Sequence, residues 1–194
     1  MAFREISPKL LLNFNEYVET WVTLIREYHQ RGISNDEIFT ALGLEQEAAV
    51  RFSMELGSML LVIAMRAWNA KRIKDEMKTL VSQAVVENAY RAVFADDEET
   101  LLACKEFYQA RYGIFAELAP DDMKNEKQIR AQLIGFARYV VAQCSRRPEE
   151  ENAQIIEKLS VLLIAAAGSF KRLTNNSTPD PNTVFGKPRF IVQK

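Results

Sequence analysis

Length, composition and charge place this chain among globular proteins. It has 194 residues, of which 48% are hydrophobic and 26% are charged, and its formal net charge is −1. That much apolar surface can form a sizeable core, which excludes a chain that is disordered throughout. The near-neutral charge provides no overall field toward nucleic acid or anionic membranes, so we expect neither as a partner.

Cysteine usage and the N-terminal sequence indicate a cytoplasmic protein. The two cysteines, Cys104 and Cys144, do not have the spacing of a metal site, a redox motif or a disulfide framework. The first residues lack the long apolar core of a signal peptide. The longest apolar stretches, Ser58–Met65 and Val161–Ala167, are shorter than the roughly 20 residues of a membrane span. They predict helices at the centre of a bundle.

The first helix is predicted from Ser7, which can cap it, with Pro8 in its first turn. Gly32 is predicted as its C-terminal stop. Its apolar residues recur every three or four positions, as expected for an amphipathic helix facing a core. They are Leu11, Phe14, Val18, Trp21, Ile25 and Tyr28.

Further helices follow along the chain. Ser34 and Glu37 form a capping box for a short helix, and a long helical region follows from about residue 45 to 94, with a break near Asn69–Arg72. Acidic clusters at 96–99, 121–122 and 149–151 mark later helix starts. The sequence therefore predicts an all-α, single-domain bundle of about six to seven helices over residues 1–173.

Residues 174–194 differ in character, because they are rich in prolines and turn residues. We expect an extended, non-helical tail that nevertheless carries large apolar side chains. A purely solvated tail has little use for such residues, which predicts contact with a protein partner or self-association. The predicted contact residues are Phe185, Phe190, Ile191 and Val192.

Three arginines interrupt apolar stretches, and a buried arginine must be paired. They are Arg66, Arg111 and Arg138. Internal ion pairs would satisfy them, and an anionic small molecule bound inside the bundle is the alternative. The acidic residues predicted as their partners are Glu87, Glu106 and Glu157.

Tyr108, Arg111 and Tyr112 together predict an aromatic and basic surface of the kind enriched in protein-binding sites. A catalytic function has less support in the sequence. His29 is the single histidine, and the cysteines lie on apolar stripes without an activating group. We identify no catalytic residue, metal-ligand set or cofactor motif, and we do not expect an enzyme.

Residues 20–55 resemble a helix-turn-helix, in which a glycine turn separates a scaffold helix from a recognition helix. The residues that carry the resemblance are Gly32, Glu37, Ile38, Leu42, Gly43 and Leu44. The resemblance implies a DNA-binding transcriptional regulator. Phe39 departs from it by its bulk, and Glu47 would face the phosphates of DNA.

These observations favour a non-catalytic interaction or regulatory protein, of the kind that serves as a subunit of a larger assembly. A DNA-binding regulator built on residues 20–55 and a bundle that binds an anionic small molecule remain the two alternatives.

Overall fold

The computed structural model describes residues 10–35, 38, 46–93, 98–117, 126–145 and 147–184. Over these residues the chain is a bundle of α-helices with one 3-10 helix and two short strands, which confirms the predicted all-α class. The elements are β1 (Leu10–Leu12), α1 (Phe14–Ile33), α2 (Gln46–Asn69), α3 (Asp75–Val93), α4 (Glu98–Glu117), α5 (Glu126–Cys144), a 3-10 helix (Glu149–Asn152), α6 (Ala153–Asn176), β2 (Ser177–Pro179) and α7 (Pro181–Val184).

Helix α1 begins at Phe14, so its predicted start at Ser7–Pro8 is wrong. Asn13 caps it, because its side-chain oxygen accepts a hydrogen bond from the backbone N–H of Glu16 at 2.9 Å. The Glu16 carboxylate accepts in return from the backbone N–H of Asn13 at 3.4 Å. The residues before this capping box, Leu10–Leu12, are extended and pair with β2.

Helix α2 is the centre of the bundle and contacts α1, α3, α4, α5 and α6. Every residue from Glu55 to Met65 is buried, as its all-round apolar pattern predicts. The helix ends at Asn69 and α3 begins at Asp75, which confirms the predicted break.

A cluster of buried aromatic rings joins α1 to α2 and α6. Trp21 of α1 stacks on Phe170 of α6, with ring centroids 5.6 Å apart and planes 10° apart. Tyr17 of α1 lies 5.5 Å from Trp68 of α2, measured between centroids. Such pairs add about 0.5–1.5 kcal/mol each beyond the burial of their area.

Gly32 lies inside α1 and does not end it, contrary to the prediction. The C-cap is Ser34, whose backbone N–H donates to the carbonyl of Gln30 at 2.8 Å. Gly32 is buried, and a Cβ there would overlap the Leu56 side chain and lie 3.2 Å from Leu162. The glycine therefore permits α1 to approach α2 and α6 closely.

Helix α6 continues to Asn176, three residues past the predicted junction at Leu173. Buried Lys71, between α2 and α3, donates from its amine to the carbonyls of Thr174, at 2.7 Å, and Ser177. A cation at the carboxyl end of a helix complements its dipole. This contact between distant parts of the chain favours helix where the local sequence favours a turn.

The two ends of the described chain meet in what we call the terminal clasp, formed by β1, β2 and α7. The strands are parallel, with Leu10 opposite Ser177 and Leu12 opposite Pro179. The Asp180 N–H donates to the carbonyl of Leu12 at 2.7 Å. The Phe14 N–H donates to the Thr183 hydroxyl at 2.9 Å, which holds α7 against the start of α1.

Among the described residues, two helical stretches have the length and hydropathy of a membrane-spanning helix, Ala48–Asn69 with 22 residues and Glu149–Asn176 with 28. The apolar stretches Ser58–Met65 and Val161–Ala167 are too short to predict a membrane span. The helices that contain them are longer and pass this test of length and hydropathy, which corrects that expectation. Within the bundle, 67% of the window in the first and 39% of that in the second is buried. Because a core helix passes the same test, these helices are weak evidence for a membrane.

Candidate functional site

An ion pair joins Arg111 of α4 to Glu55 of α2 at the edge of the core. The Glu55 side chain is fully buried, and 18% of the Arg111 side chain is exposed. Arg111 donates from Nε to both carboxylate oxygens at 3.0 Å and from Nη2 to Oε1 at 2.8 Å. The hydrogen bonds that Arg111 donates to Glu55 raise the pKa of Arg111.

Aromatic rings and a thiol enclose this pair. The Arg111 guanidinium carbon lies 4.7 Å from the centroid of Phe107 and 6.0 Å from that of Tyr139. Burial raises the pKa of the Cys144 thiol to about 12, with a further contribution from the Glu55 charge. Cys144 is therefore a thiol rather than a thiolate at neutral pH, and it is a poor nucleophile.

The prediction that Glu87, Glu106 or Glu157 pairs with these arginines is wrong for Arg111, whose partner is Glu55. Glu87 instead lies within 3.7 Å of Arg91 and 3.8 Å of Lys105, while Glu106 and Glu157 are exposed. The partner that sequence reasoning missed is Glu55. The sequence did contain a signal for Glu55, because it is a single carboxylate among the apolar residues Phe52, Leu56 and Met59 of the most apolar helix.

The other two arginines occupy different surroundings from Arg111. Arg66 is half-buried, and its Nη2 donates to the carbonyl of Phe115 at 3.5 Å. Arg138 is not buried, because 58% of its side chain is exposed, and its Nε lies 3.0 Å from Glu149. Exposed pairs of that kind contribute little stability. The structure therefore does not bring the three arginines together at one site.

Tyr108 and Tyr112 form an aromatic row that leads from the core to the surface. The Tyr108 ring centroid lies 5.8 Å from that of buried Tyr90 and 5.8 Å from that of Tyr112, which is 41% exposed. Arg111 instead reaches inward to Glu55. Of the predicted surface residues Tyr108, Arg111 and Tyr112, Tyr112 is exposed and the other two are half-buried.

His29 is a buried residue of the interface between α1 and α2. Its Nε2 lies 3.1 Å from the carbonyl oxygen and 3.0 Å from the hydroxyl of Ser53. Burial lowers the pKa of His29, which favours the neutral imidazole. With 2% of the residue exposed, His29 is a packing residue of the core rather than a base that faces a cleft.

A groove runs along the polar side of α1, beside the end of α6. It has a volume of about 460 Å³. We call it the α1 groove, and it is lined by Glu16, Glu19, Thr20, Thr23, Leu24, Glu27 and Leu173.

Other predicted features can be placed only in part. The contact residues Phe185, Phe190, Ile191 and Val192 lie outside the described residues. Of the helix-turn-helix pattern, Gly32 and Ile38 are described, and both are buried. In the described ranges, no group of three or more His, Cys, Asp or Glu side chains is placed to hold a metal ion.

The chain matches no protein-family model, and comparison with curated proteins and with solved structures finds no similar protein.

Proposed function

We propose that this protein is a non-catalytic interaction or regulatory protein of the cytoplasm, which binds another protein or a second copy of itself. The observation that carries the proposal is the terminal clasp. It holds strand β1 beside α7, and the apolar residues of the segment 185–194 follow α7 in the sequence.

Strand β1 supports this proposal by its exposure. Leu10 is 61% exposed and Leu11 is 55% exposed, and in the described part of the chain β1 pairs with β2 alone. An edge strand with exposed leucines favours pairing with a further extended segment. The contact would combine this edge with the apolar residues of 185–192.

Light scattering on the intact chain tests the self-associating form of the proposal. We expect a mass above the 22.2 kDa of one chain, which rises with protein concentration. Leu10→Asp with Leu11→Asp should return the mass to that of one chain, because two carboxylates at the edge oppose burial. Leu102→Asp is the matched control, since Leu102 is 59% exposed on α4, away from the clasp.

A single-chain mass at all concentrations would refute self-association. An oligomer that the Leu10 and Leu11 substitutions leave intact would refute the role of the clasp.

Neither DNA binding nor the binding of an anionic small molecule has a supporting observation comparable to the exposed edge of the terminal clasp. Helix α2 would be the recognition helix of a DNA-binding protein, yet it is the buried centre of the bundle. Arg111 would hold an anionic ligand, yet Glu55 already neutralises it.

A further inference from the structure

Lys71 is a buried lysine in the connection between α2 and α3. It is 8% exposed, whereas its neighbours Arg72 and Lys74 are exposed. Its amine lies 5.9 Å from the centroid of the Trp68 ring, near the end of α2. Lysine is rarely buried, because its ammonium group loses hydration unless protein groups replace the water. The burial of Lys71 therefore directs attention to the groups that its amine binds.

The amine binds the point at which the chain leaves the bundle for the terminal clasp. It donates at 2.7 Å to the carbonyl of Thr174, which is among the last four carbonyls of α6 and so has no partner within the helix ladder. It also donates to the carbonyl of Ser177, the first residue of β2. Both residues are buried, which strengthens hydrogen bonds to a charged donor. One amine thus joins the end of α6 to the start of β2.

Strand β1, by contrast, gains little from burial. It pairs with β2 over three residues, and a sheet of two short strands is marginally stable by itself. Leu10 and Leu11 are both more than half exposed, so β1 removes little apolar surface from water. Segments with few buried apolar contacts open at a lower free energy than a packed core does. We therefore expect β1 to separate from β2 while the helices remain folded.

We propose that Lys71 is the latch of the terminal clasp, and that the clasp opens and closes as a unit separate from the bundle. While the amine holds the carbonyls of Thr174 and Ser177, β2 keeps the register that places Ser177 opposite Leu10. When the amine lets go, the last turn of α6 has only its local sequence, which favours a turn. β2 then loses its fixed position beside β1, and the clasp opens.

The latch also controls the edge through which we propose that the protein binds. In the described chain β1 pairs with β2 alone, so an open clasp presents no ordered edge to a partner. A partner that pairs with β1 binds the closed form and shifts the equilibrium toward it. This regulatory consequence rests on the proposed function, whereas the latch itself requires no partner.

Hydrogen exchange measured by NMR on the unmodified full chain tests whether the clasp is a separate unit. The N–H groups of Phe14 and Asp180 donate across the clasp, to Thr183 and Leu12. We expect them to exchange through an opening that depends little on urea, because it exposes little surface. The buried amides 59–62 of α2 should show the steeper dependence of global unfolding. An equal urea dependence for the two sets would overturn the proposal.

Lys71→Met tests the latch, because it removes the amine and keeps an apolar side chain of similar length. We expect the N–H groups of Phe14 and Asp180 to exchange about tenfold faster or more, since two hydrogen bonds from a charged donor are lost. Lys74→Met is the matched control, because it removes the same charge from an exposed position in the same connection. It should leave both rates unchanged.

A disulfide across the clasp provides the rescue. In the Lys71→Met background, Leu11→Cys with Thr178→Cys joins two residues that are opposite each other in β1 and β2. Oxidation should slow the exchange of the Phe14 and Asp180 N–H groups again, because the strands can no longer separate. Continued fast exchange in the oxidised form would show that the opening lies elsewhere.

The latch is also overturned if Lys71→Met speeds exchange of the amides 59–62 but not that of Phe14 and Asp180. That pattern would mean that the contacts of Lys71 persist when the clasp opens and break only on global unfolding. Light scattering separates this proposal from the proposed function. A single-chain mass would refute self-association and leave the exchange results as expected.

Discussion

At the scale of single residues, Arg111 and Glu55 show how a buried charge is tolerated. The carboxylate has no exposed surface, and its cost of desolvation is offset by three hydrogen bonds from one guanidinium. Because Glu55 stands on the central helix and Arg111 on α4, the pair also fixes how these helices meet.

Removing one partner of this pair should be costly. We expect Arg111→Met to lower the free energy of unfolding by about 3–5 kcal/mol, because it leaves an uncompensated buried carboxylate. The double variant with Glu55→Met should recover most of the loss. Urea denaturation of both variants measures this, and a double variant as unstable as the single one would contradict it.

His29 should make stability depend on pH. Burial lowers its pKa below 6.5, so on acidification the unfolded chain takes up a proton that the folded chain does not. The free energy of unfolding should therefore fall as the pH drops from 6.5 toward about 5. His29→Gln, which removes the single histidine, should flatten the curve in this range. Parallel curves for the two proteins would contradict the assignment.

The sequence alone pointed to Arg111 more readily than to its partner Glu55. Arg111 stands out because it interrupts an apolar stripe, which is a local signal. Glu55 is 56 positions away, and its pairing depends on which faces of α2 and α4 meet. That information is tertiary, so nearby acidic residues such as Glu106 were better candidates by spacing.

At the scale of elements, glycines inside helices have two different roles. Gly113, Gly135 and Gly168 lie in α4, α5 and α6, and a Cβ at each would meet no atom within 4 Å. Gly32 differs, because a Cβ there would overlap Leu56 in the core.

The same substitution should therefore have opposite effects. Gly→Ala at 113, 135 or 168 should raise the free energy of unfolding by about 0.5–1 kcal/mol, since alanine restricts the unfolded chain. Gly32→Ala should lower it, and provides the matched control. Thermal denaturation of the four variants measures the effects, and a loss at the open positions would indicate that another surface covers them.

The ends of two elements could not be located from local sequence. Leu10–Leu12 fit a helical stripe, but their backbone pairs with residues more than 160 positions later. The TNNS sequence that follows Leu173 favours a turn, but Lys71 binds the carbonyls there. Where a long apolar stretch is buried on all sides, as in the middle of α2, the prediction of the element was confirmed.

At the scale of the whole molecule, the terminal clasp links the first and last described elements. Leu11 and Thr178 are directly opposite in parallel strands, whose Cα atoms lie about 4.8 Å apart, within the range of a disulfide.

A disulfide at this position should stabilise the entire bundle. Leu11→Cys with Thr178→Cys closes a loop that contains every helix from α1 to α6, so we expect about 2–4 kcal/mol on oxidation. Denaturation of the oxidised and reduced forms of the same variant measures the gain. Identical unfolding of the two forms would contradict this prediction.

Composition and periodicity were sufficient to predict the fold class, because a helical core imposes its pattern on most of the chain. They could not predict the α1 groove, which arises where the polar side of α1 meets Leu173 at the end of α6. The interaction surface could not be predicted for a related reason, since such a surface imposes no fixed spacing on the residues that form it.

The parallel arrangement of β1 and β2 also has a mechanical consequence. When tension pulls residue 10 and residue 184 apart, the force acts along the strands and in opposite directions on each. The hydrogen bonds between them are then loaded in shear and must break together, rather than one after another as in a zipper. Tension that arrives through the segments flanking the bundle is therefore borne first by the clasp, and the helices behind it are shielded until the clasp ruptures.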